Sequence, residues 1–147
     1  MKIVNKKASF NYILLDHYEA GVVLTGPEVK SLVAGMASLE EAYVKLVGNE
    51  LYLINAHIHP YKFADSRGIE PKRTRKLLLH RKEILEIGNK MKQKNLTLVP
   101  VAWYNKGNQI KLEIALAKGK KQWEKKQALK KADLEREARL DFDARLR

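Results

Sequence analysis

Residues 97–117 read Thr97-Leu98-Val99-Pro100-Val101-Ala102-Trp103-Tyr104-Asn105-Lys106-Gly107-Asn108-Gln109-Ile110-Lys111-Leu112-Glu113-Ile114-Ala115-Leu116-Ala117. In the second half, Ile110, Leu112, Ile114 and Leu116 fall at every other position, the period of a strand with one apolar face. Thr97 to Tyr104 is an apolar run of strand length, and Asn105-Lys106-Gly107-Asn108 between the two is turn chemistry. The stretch predicts an antiparallel hairpin.

Working outward, a second hairpin is predicted from Tyr43 to Val47 and Leu51 to Ile58, turning at Gly48-Asn49. Near the start, Phe10, Tyr12 and Leu14 alternate with Asn11, Ile13 and Leu15, which predicts a strand over Ser9 to Leu15, with Val22-Val23-Leu24 following after a break at Gly21. Two helices interrupt the strands. Thr25-Gly26-Pro27-Glu28 is a helix-start signal, with Thr25 as cap, Glu28 returning the bond and Gly35 ending the element. Arg81 to Lys94 carries Ile84, Ile87 and Met91 on one face and keeps Lys90, Lys92 and Lys94 in water. Asp65 to Lys76, with Gly68, Pro71 and the run Lys72-Arg73-Thr74-Arg75-Lys76, reads as an exposed loop. Six or seven short strands with two or three helices and no internal repeat predict a mainly β fold, a small closed antiparallel barrel of the oligonucleotide-binding type.

The barrel is expected over residues 1–117, followed by a basic tail over residues 118–147. The body holds 18 basic and 11 acidic residues and the tail 11 and 6, so the last fifth of the chain carries almost half of the net charge. The tail is rich in helix formers, but Leu129, Leu134, Leu140, Phe142 and Leu146 make only a broken apolar stripe, so it is expected to be disordered when free and helical when bound.

With 147 residues the chain fits one domain, and a net charge of +12 favours an anionic partner, nucleic acid before a membrane surface. No cysteine is present, which removes disulfides, thiol nucleophiles and thiolate metal sites. No apolar run approaches the roughly 20 residues that span a bilayer, and the start of the chain leads into no apolar signal core, so a cytoplasmic protein is expected. Cations cluster at Lys2/Lys6/Lys7, at Lys72 to Lys76 and at Lys118 to Lys126. Any one cluster could be a solvated face; three of them with this charge point to phosphate. No duplex-reading helix, zinc finger or basic zipper is visible, so unpaired RNA is the expected partner, with Tyr12, Tyr61 and Trp123 as stacking candidates or, for the two tyrosines, ordinary core aromatics.

Catalysis finds little support. Of the four histidines only His57 and His59 are near one another, on one strand face without an identifiable third metal ligand; Glu19 and Glu28 could be imagined as an acid–base pair, but Glu28 already has a capping role, and no phosphate-cradling glycine loop occurs. The expectation is a binding protein without cofactor or metal. An RNA-processing enzyme using His57 or His59 is one rival and a peripheral membrane protein another, although the tail lacks the apolar face the latter needs.

Several stretches together resemble the SsrA-binding protein family (small protein B), the bacterial partners of transfer-messenger RNA (SsrA RNA). They are Asn5-Lys6-Lys7-Ala8 leading to Tyr12, Tyr18-Glu19-Ala20-Gly21, Gly26-Pro27-Glu28-Val29-Lys30-Ser31-Leu32, Ala42-Tyr43-Val44 and Pro60-Tyr61. The most specific are the run from Arg73 to Ile84, Arg-Thr-Arg-Lys-Leu-Leu-Leu-His-Arg-Lys-Glu-Ile, and Ala117-Lys118-Gly119-Lys120-Lys121. The resemblance implies an oligonucleotide-binding-type barrel that holds the transfer-RNA-like part of transfer-messenger RNA and enters stalled 70S ribosomes, where the nascent chain is tagged and released. It implies a monomer per RNA and a tail that contacts small-subunit ribosomal RNA in the vacant message channel near the decoding centre. It places Lys6, Lys7, Tyr12, Glu19, Arg73, Arg75, Lys76, Leu78 and His80 at the transfer-messenger RNA, with His80 standing where some members carry asparagine. Glu19 could touch RNA or instead pair with the Arg73 to Lys76 loop. In the tail it implies roles for Gly119 as a hinge, Lys120, Lys121, Trp123 as a stacking residue, and the acidic-basic-basic triplet Glu124-Lys125-Lys126. Without the resemblance, a barrel protein binding ribosomal RNA would explain the residues equally well.

Overall fold

A computed structural model describes residues 1–63, 70–121, 125–126, 130–134 and 136. The element order is β1 (Lys2–Val4), α1 (Lys6–Asn11), β2 (Tyr12–Val22), α2 (Gly26–Val33), β3 (Ala37–Ser38), β4 (Tyr43–Val47), β5 (Glu50–Ile54), β6 (His57–Ile58), β7 (Arg75–Leu78), α3 (Arg81–Lys94), β8 (Thr97–Lys106) and β9 (Gln109–Gly119). Residues 125–126, 130–134 and 136 are also helical.

The hairpin of residues 97–117 is the backbone of the fold. β8 and β9 pair from Lys106↔Gln109 at the turn, where Gly107 takes a φ of +60°, to Thr97↔Ala117. Pro100 has no N–H to give a ladder, and the register shifts next to it, between Pro100 and Ala102, as expected of proline in a strand. Seven strands form one antiparallel sheet in the order β1-β8-β4-β5-β7-β2-β9, and β8 pairs with β9 as well, so the pairings return to β8. β3 and β6 form a separate two-stranded sheet. Leu98, Trp103, Leu112, Ile114 and Leu116 of the hairpin meet Leu32 of α2, Leu51 and Leu53 of β5 and Ile87 of α3 in one core.

Three expectations are corrected. Ser9 to Asn11 belongs to α1 and not to a strand, because the opposite face of the hairpin is apolar too: Ala8 of α1 covers Val99 and Ala117, and Asn5 fixes the helix by giving its backbone N–H to Val101 O at 2.8 Å and its side-chain amide to Pro100 O at 2.9 Å. Gly21 is not a break. β2 runs through it, and its missing side chain lets Leu78 of β7 come close, since a Cβ there would lie 3.3 Å from the Leu78 Cβ. Arg75 and Lys76 are not loop residues: they open β7, which lies between β5 and β2.

Smaller differences follow the same logic. The expected strand from Leu51 to Ile58 divides at Asn55, which takes a φ of +62°, so β6 pairs with β3. α2 and α3 fall where they were expected. Thr25 and Glu28 form the reciprocal capping box, and Asn95 ends α3 in the left-handed conformation. Lys90, expected in water, is drawn against β2 by Asp16 at 2.9 Å and also pairs with Glu86, one turn earlier on α3, at 2.7 Å. The last strand passes residue 117: Ile13↔Lys118 and Tyr12↔Gly119 are ladder partners.

Candidate nucleic-acid interface

Glu19 stands on the outer face of β2, opposite Glu113 of β9. Tyr104 of β8 donates its hydroxyl to Glu19 Oε2 at 2.7 Å, and Lys106 Nζ lies 3.6 Å from Oε1. These partners hold the Glu19 carboxyl below the usual carboxylate range, with the Tyr104 bond the largest cause, and the Tyr104 hydroxyl is pushed up by burial and by Glu19. Glu19 is thus an ionised, oriented acceptor for N–H or ribose O–H donors, and its partners are on the β8–β9 hairpin instead of the Arg73 to Lys76 segment.

β7 ends beside it. Because β strands alternate, Arg75 and Leu77 point inward while Lys76 and Leu78 point outward, and Leu78 remains 51% exposed. His80 follows as the N-cap of α3, its backbone N–H given to Glu83 and its side chain exposed. Glu19, Leu78 and His80 therefore line one depression, together with Gly21, Glu83 and Lys111. An oriented carboxylate, an apolar ledge and an imidazole in one groove suit an unpaired base: edge recognition and an apolar surface to lie on.

The two arginines behave differently from the expectation. Arg75 is fully buried and has no surface to offer RNA. Its guanidinium gives Nε to Glu28 Oε2 at 2.7 Å, Nη1 to Ala56 O and Arg73 O at 2.8 and 2.9 Å, and Nη2 to Pro71 O at 3.0 Å and to the Glu28 carboxylate. Arg73, half-buried, also binds Glu28 and gives Nη2 to Val23 O at 3.2 Å. Burial pushes the Glu28 carboxyl up, but the bonds from Arg73, Thr25 N–H and Arg75 outweigh it and the net shift is downward. The physical reason is that β7 needs an inward residue where α2 presents Glu28, so the fold neutralises that charge internally. Lys76 does face solvent, paired with Glu50 at 3.0 Å.

A second group gathers away from the groove. Lys6 and Lys7 are exposed on α1, and Tyr12 packs against Ala8, Val99 and Ala117 at the junction with β2. Gly119 pairs with Tyr12, while Lys120 gives its backbone N–H to Asn11 O and its ammonium to Ser9 O, each at 2.9 Å. Lys120 is therefore attached to the body, and Gly119 is the last residue of β9 itself. Lys121 is exposed, Lys125 and Lys126 are helical, and the expectations for Trp123 and Glu124 lie outside the described residues. His57 and His59 meet edge to face with centroids 4.4 Å apart, and among the described residues no group of three metal-ligating side chains occurs.

Tyr104, Lys106 and Lys111 were not among the expected site residues. Tyr104 and Lys111 are register partners within the hairpin and so share a sheet face, a signal readable from the turn outward. That this face meets Glu19 is set by the β2–β9 pairing, which no local pattern discloses.

A sequence model described as SmpB protein matches residues 2–144. The chain belongs to the SmpB protein family. An SsrA-binding protein of Mycoplasma mycoides subsp. mycoides SC is 52% identical to this SmpB-family chain over 135 residues, 91% of each chain. One of Sulfurihydrogenibium sp. is 48% identical over 143 residues, 97% of this chain and 94% of the other. Among solved structures, a chain described as "tmRNA-SmpB: a journey to the center of the bacterial ribosome" matches with a TM-score of 0.68 and 41% identity, covering 82% of this chain and 85% of that one. The resemblance drawn from the motifs is thereby borne out.

Proposed function

We propose that this SmpB-family chain is an RNA-binding adaptor of trans-translation: it holds the transfer-RNA-like domain of transfer-messenger RNA and brings it to stalled ribosomes, where the nascent peptide is tagged for degradation. The observation that carries this reading is the convergence of Glu19, Leu78 and His80, 61 positions apart at the extremes, in one groove. The ring of pairings through β8, β4, β5, β7, β2 and β9 supports reading the body as a closed oligonucleotide-binding-type barrel. Lys6, Lys7 and Tyr12, expected at the transfer-messenger RNA, sit with Lys120 apart from the groove, and that cationic face suits ribosomal RNA instead. The residues beyond 121 act as the part that orders in an empty message channel, where phosphate contacts offset the entropy of ordering. One copy serves one RNA in the cytoplasm, and the role is binding without catalysis. Among the described residues no helix is long and apolar enough to cross a membrane.

The test is equilibrium binding to a transfer-messenger RNA fragment, with ordinary transfer RNA as competitor, over a salt series. Preference that persists near physiological salt is expected. Equal and steeply salt-dependent binding to both would reduce the activity to general RNA affinity.

A further inference from the structure

The Glu19 depression does not end at His80. It shares Gly21, Leu78 and Lys111 with a neighbouring one lined by Asn108 and Gln109 of the β8–β9 turn, with Val22, Leu24 and Val29 as its apolar wall. On its other side it shares Glu19 with a depression lined by Lys2, His17, Tyr104 and Glu113. The three adjoin one another through these shared residues along β9, from Glu113 to Gln109. The four residue steps between Glu113 and Gln109 span about 13 Å, room for about three or four stacked nucleotides at about 3.4 Å each.

We propose that the β8–β9 turn is a recognition element of the same RNA site, with Asn108 and Gln109 reading the edges of unpaired bases beyond the one at Glu19 and Lys111 holding the strand between them. The assignment rests on reading the Glu19 groove as the RNA site. Its chemistry is specific to unpaired RNA. Side-chain amides supply two donors and an acceptor each, matched to base edges that a duplex would hide. Lys111 lies opposite Gly21 in the ladder, at the point where two of the depressions join, so its ammonium is available to a phosphate on the path between base contacts. The turn is also held in place. The amino terminus donates to Asn105 Oδ1 at 3.0 Å, and Lys106 reaches Glu19, so the arm that would read the far bases is tied to the carboxylate that reads the near one. Asn108 and Gln109 are exposed and have ordinary negative φ, so alanine at either leaves the fold intact.

The experiment measures affinity of the full chain for a transfer-messenger RNA fragment and for oligouridine of equal length, at several salt concentrations, for Glu19→Gln, Lys111→Gln and the double variant Asn108→Ala/Gln109→Ala. The double variant is expected to bind the fragment about 10- to 100-fold more weakly, with oligouridine affinity and salt slope unchanged, as loss of base-edge contacts requires. Lys111→Gln is expected to weaken both RNAs alike and to lower the salt slope by about one. If the double variant binds the fragment within twofold of the parent while Glu19→Gln is impaired, the role of the turn is overturned and the groove stands. If the double variant is weakened and Glu19→Gln is not, the turn stands and the Glu19 reading falls. If neither changes, both fall.

Discussion

Arg75 Nε meets Glu28 Oε2 at 2.7 Å in the interior, and the same guanidinium also spans to carbonyl oxygens of Ala56, Pro71 and Arg73. Every N–H of the fork is occupied, so this arginine ties α2, the β5–β6 connection and the approach to β7 to one point. Its cationic neighbours in sequence invite a phosphate-binding reading, but its charge is spent inside.

Removing one partner leaves the other charge buried and uncompensated. Glu28→Gln is expected to destabilise the chain by about 3–5 kcal/mol in urea unfolding. The carboxyl of Glu28 is depressed in the folded state, so its contribution is complete above the unfolded carboxyl value, about 4.3, and is lost as pH falls through the lower folded value. Acid unfolding below about pH 4 should therefore lose part of its steepness in Glu28→Gln. Parallel acid limbs for parent and variant would show that Glu28 does not drive that transition.

Tyr104 is expected to act on RNA through Glu19. Tyr104→Phe removes the largest cause of the depressed Glu19 carboxyl, so that carboxyl should titrate higher, towards the ordinary range, when followed by carbon NMR. RNA affinity should fall about 2- to 10-fold, the scale of one lost hydrogen bond. Because the folded value is depressed in the parent, its binding should hold as pH falls until below the ordinary carboxylate range, while the variant should begin to weaken at higher pH. An unmoved Glu19 titration would remove Tyr104 from the site.

Gly21 provides a packing test of the groove. A Cβ there would sit 3.3 Å from the Leu78 Cβ, so Gly21→Val must displace Leu78 or spread β2 from β7. Overpacking of this kind costs about 1–3 kcal/mol, and the shifted ledge should lower RNA affinity by more than Val47→Ala, a control at an exposed β4 position. Equal affinity for the two variants would show that the Leu78 ledge is not part of the interface.

What could be read from sequence was local. The alternation of Ile110 to Leu116, the turn at Gly107 and the caps of α2 and α3 are each set by neighbours a few positions apart, and each element lies where its pattern puts it. What could not be read was carried by partners far along the chain. Arg75 is buried because Glu28 lies 47 positions earlier, and Glu19 is oriented by Tyr104, 85 positions later. α1 was hidden for a related reason: Phe10, Tyr12 and Leu14 alternate as a strand would, but Ala8 has a second apolar face of the hairpin to cover. Glu19, Leu78 and His80 were named from the resemblance; that they share a groove, and that the hairpin turn borders it, needed the fold.

The boundary between body and tail makes a last prediction. A cut after residue 117 removes Lys118 and Gly119 from the β2–β9 ladder and strips α1 of both Lys120 bonds, whereas a cut after residue 121 leaves those contacts in place. The chain ending at 121 should therefore melt close to the parent temperature and bind transfer-messenger RNA with nearly parental affinity, yet fail to support tagging on stalled ribosomes. The chain ending at 117 should melt several degrees lower, since for a body of this size each 1 kcal/mol lost moves the midpoint by about 4 °C. Tagging by the chain ending at 121 would place the ribosome-directed contacts in the body, on the face built by Lys6, Lys7, Tyr12 and Lys120, and not in the residues that follow.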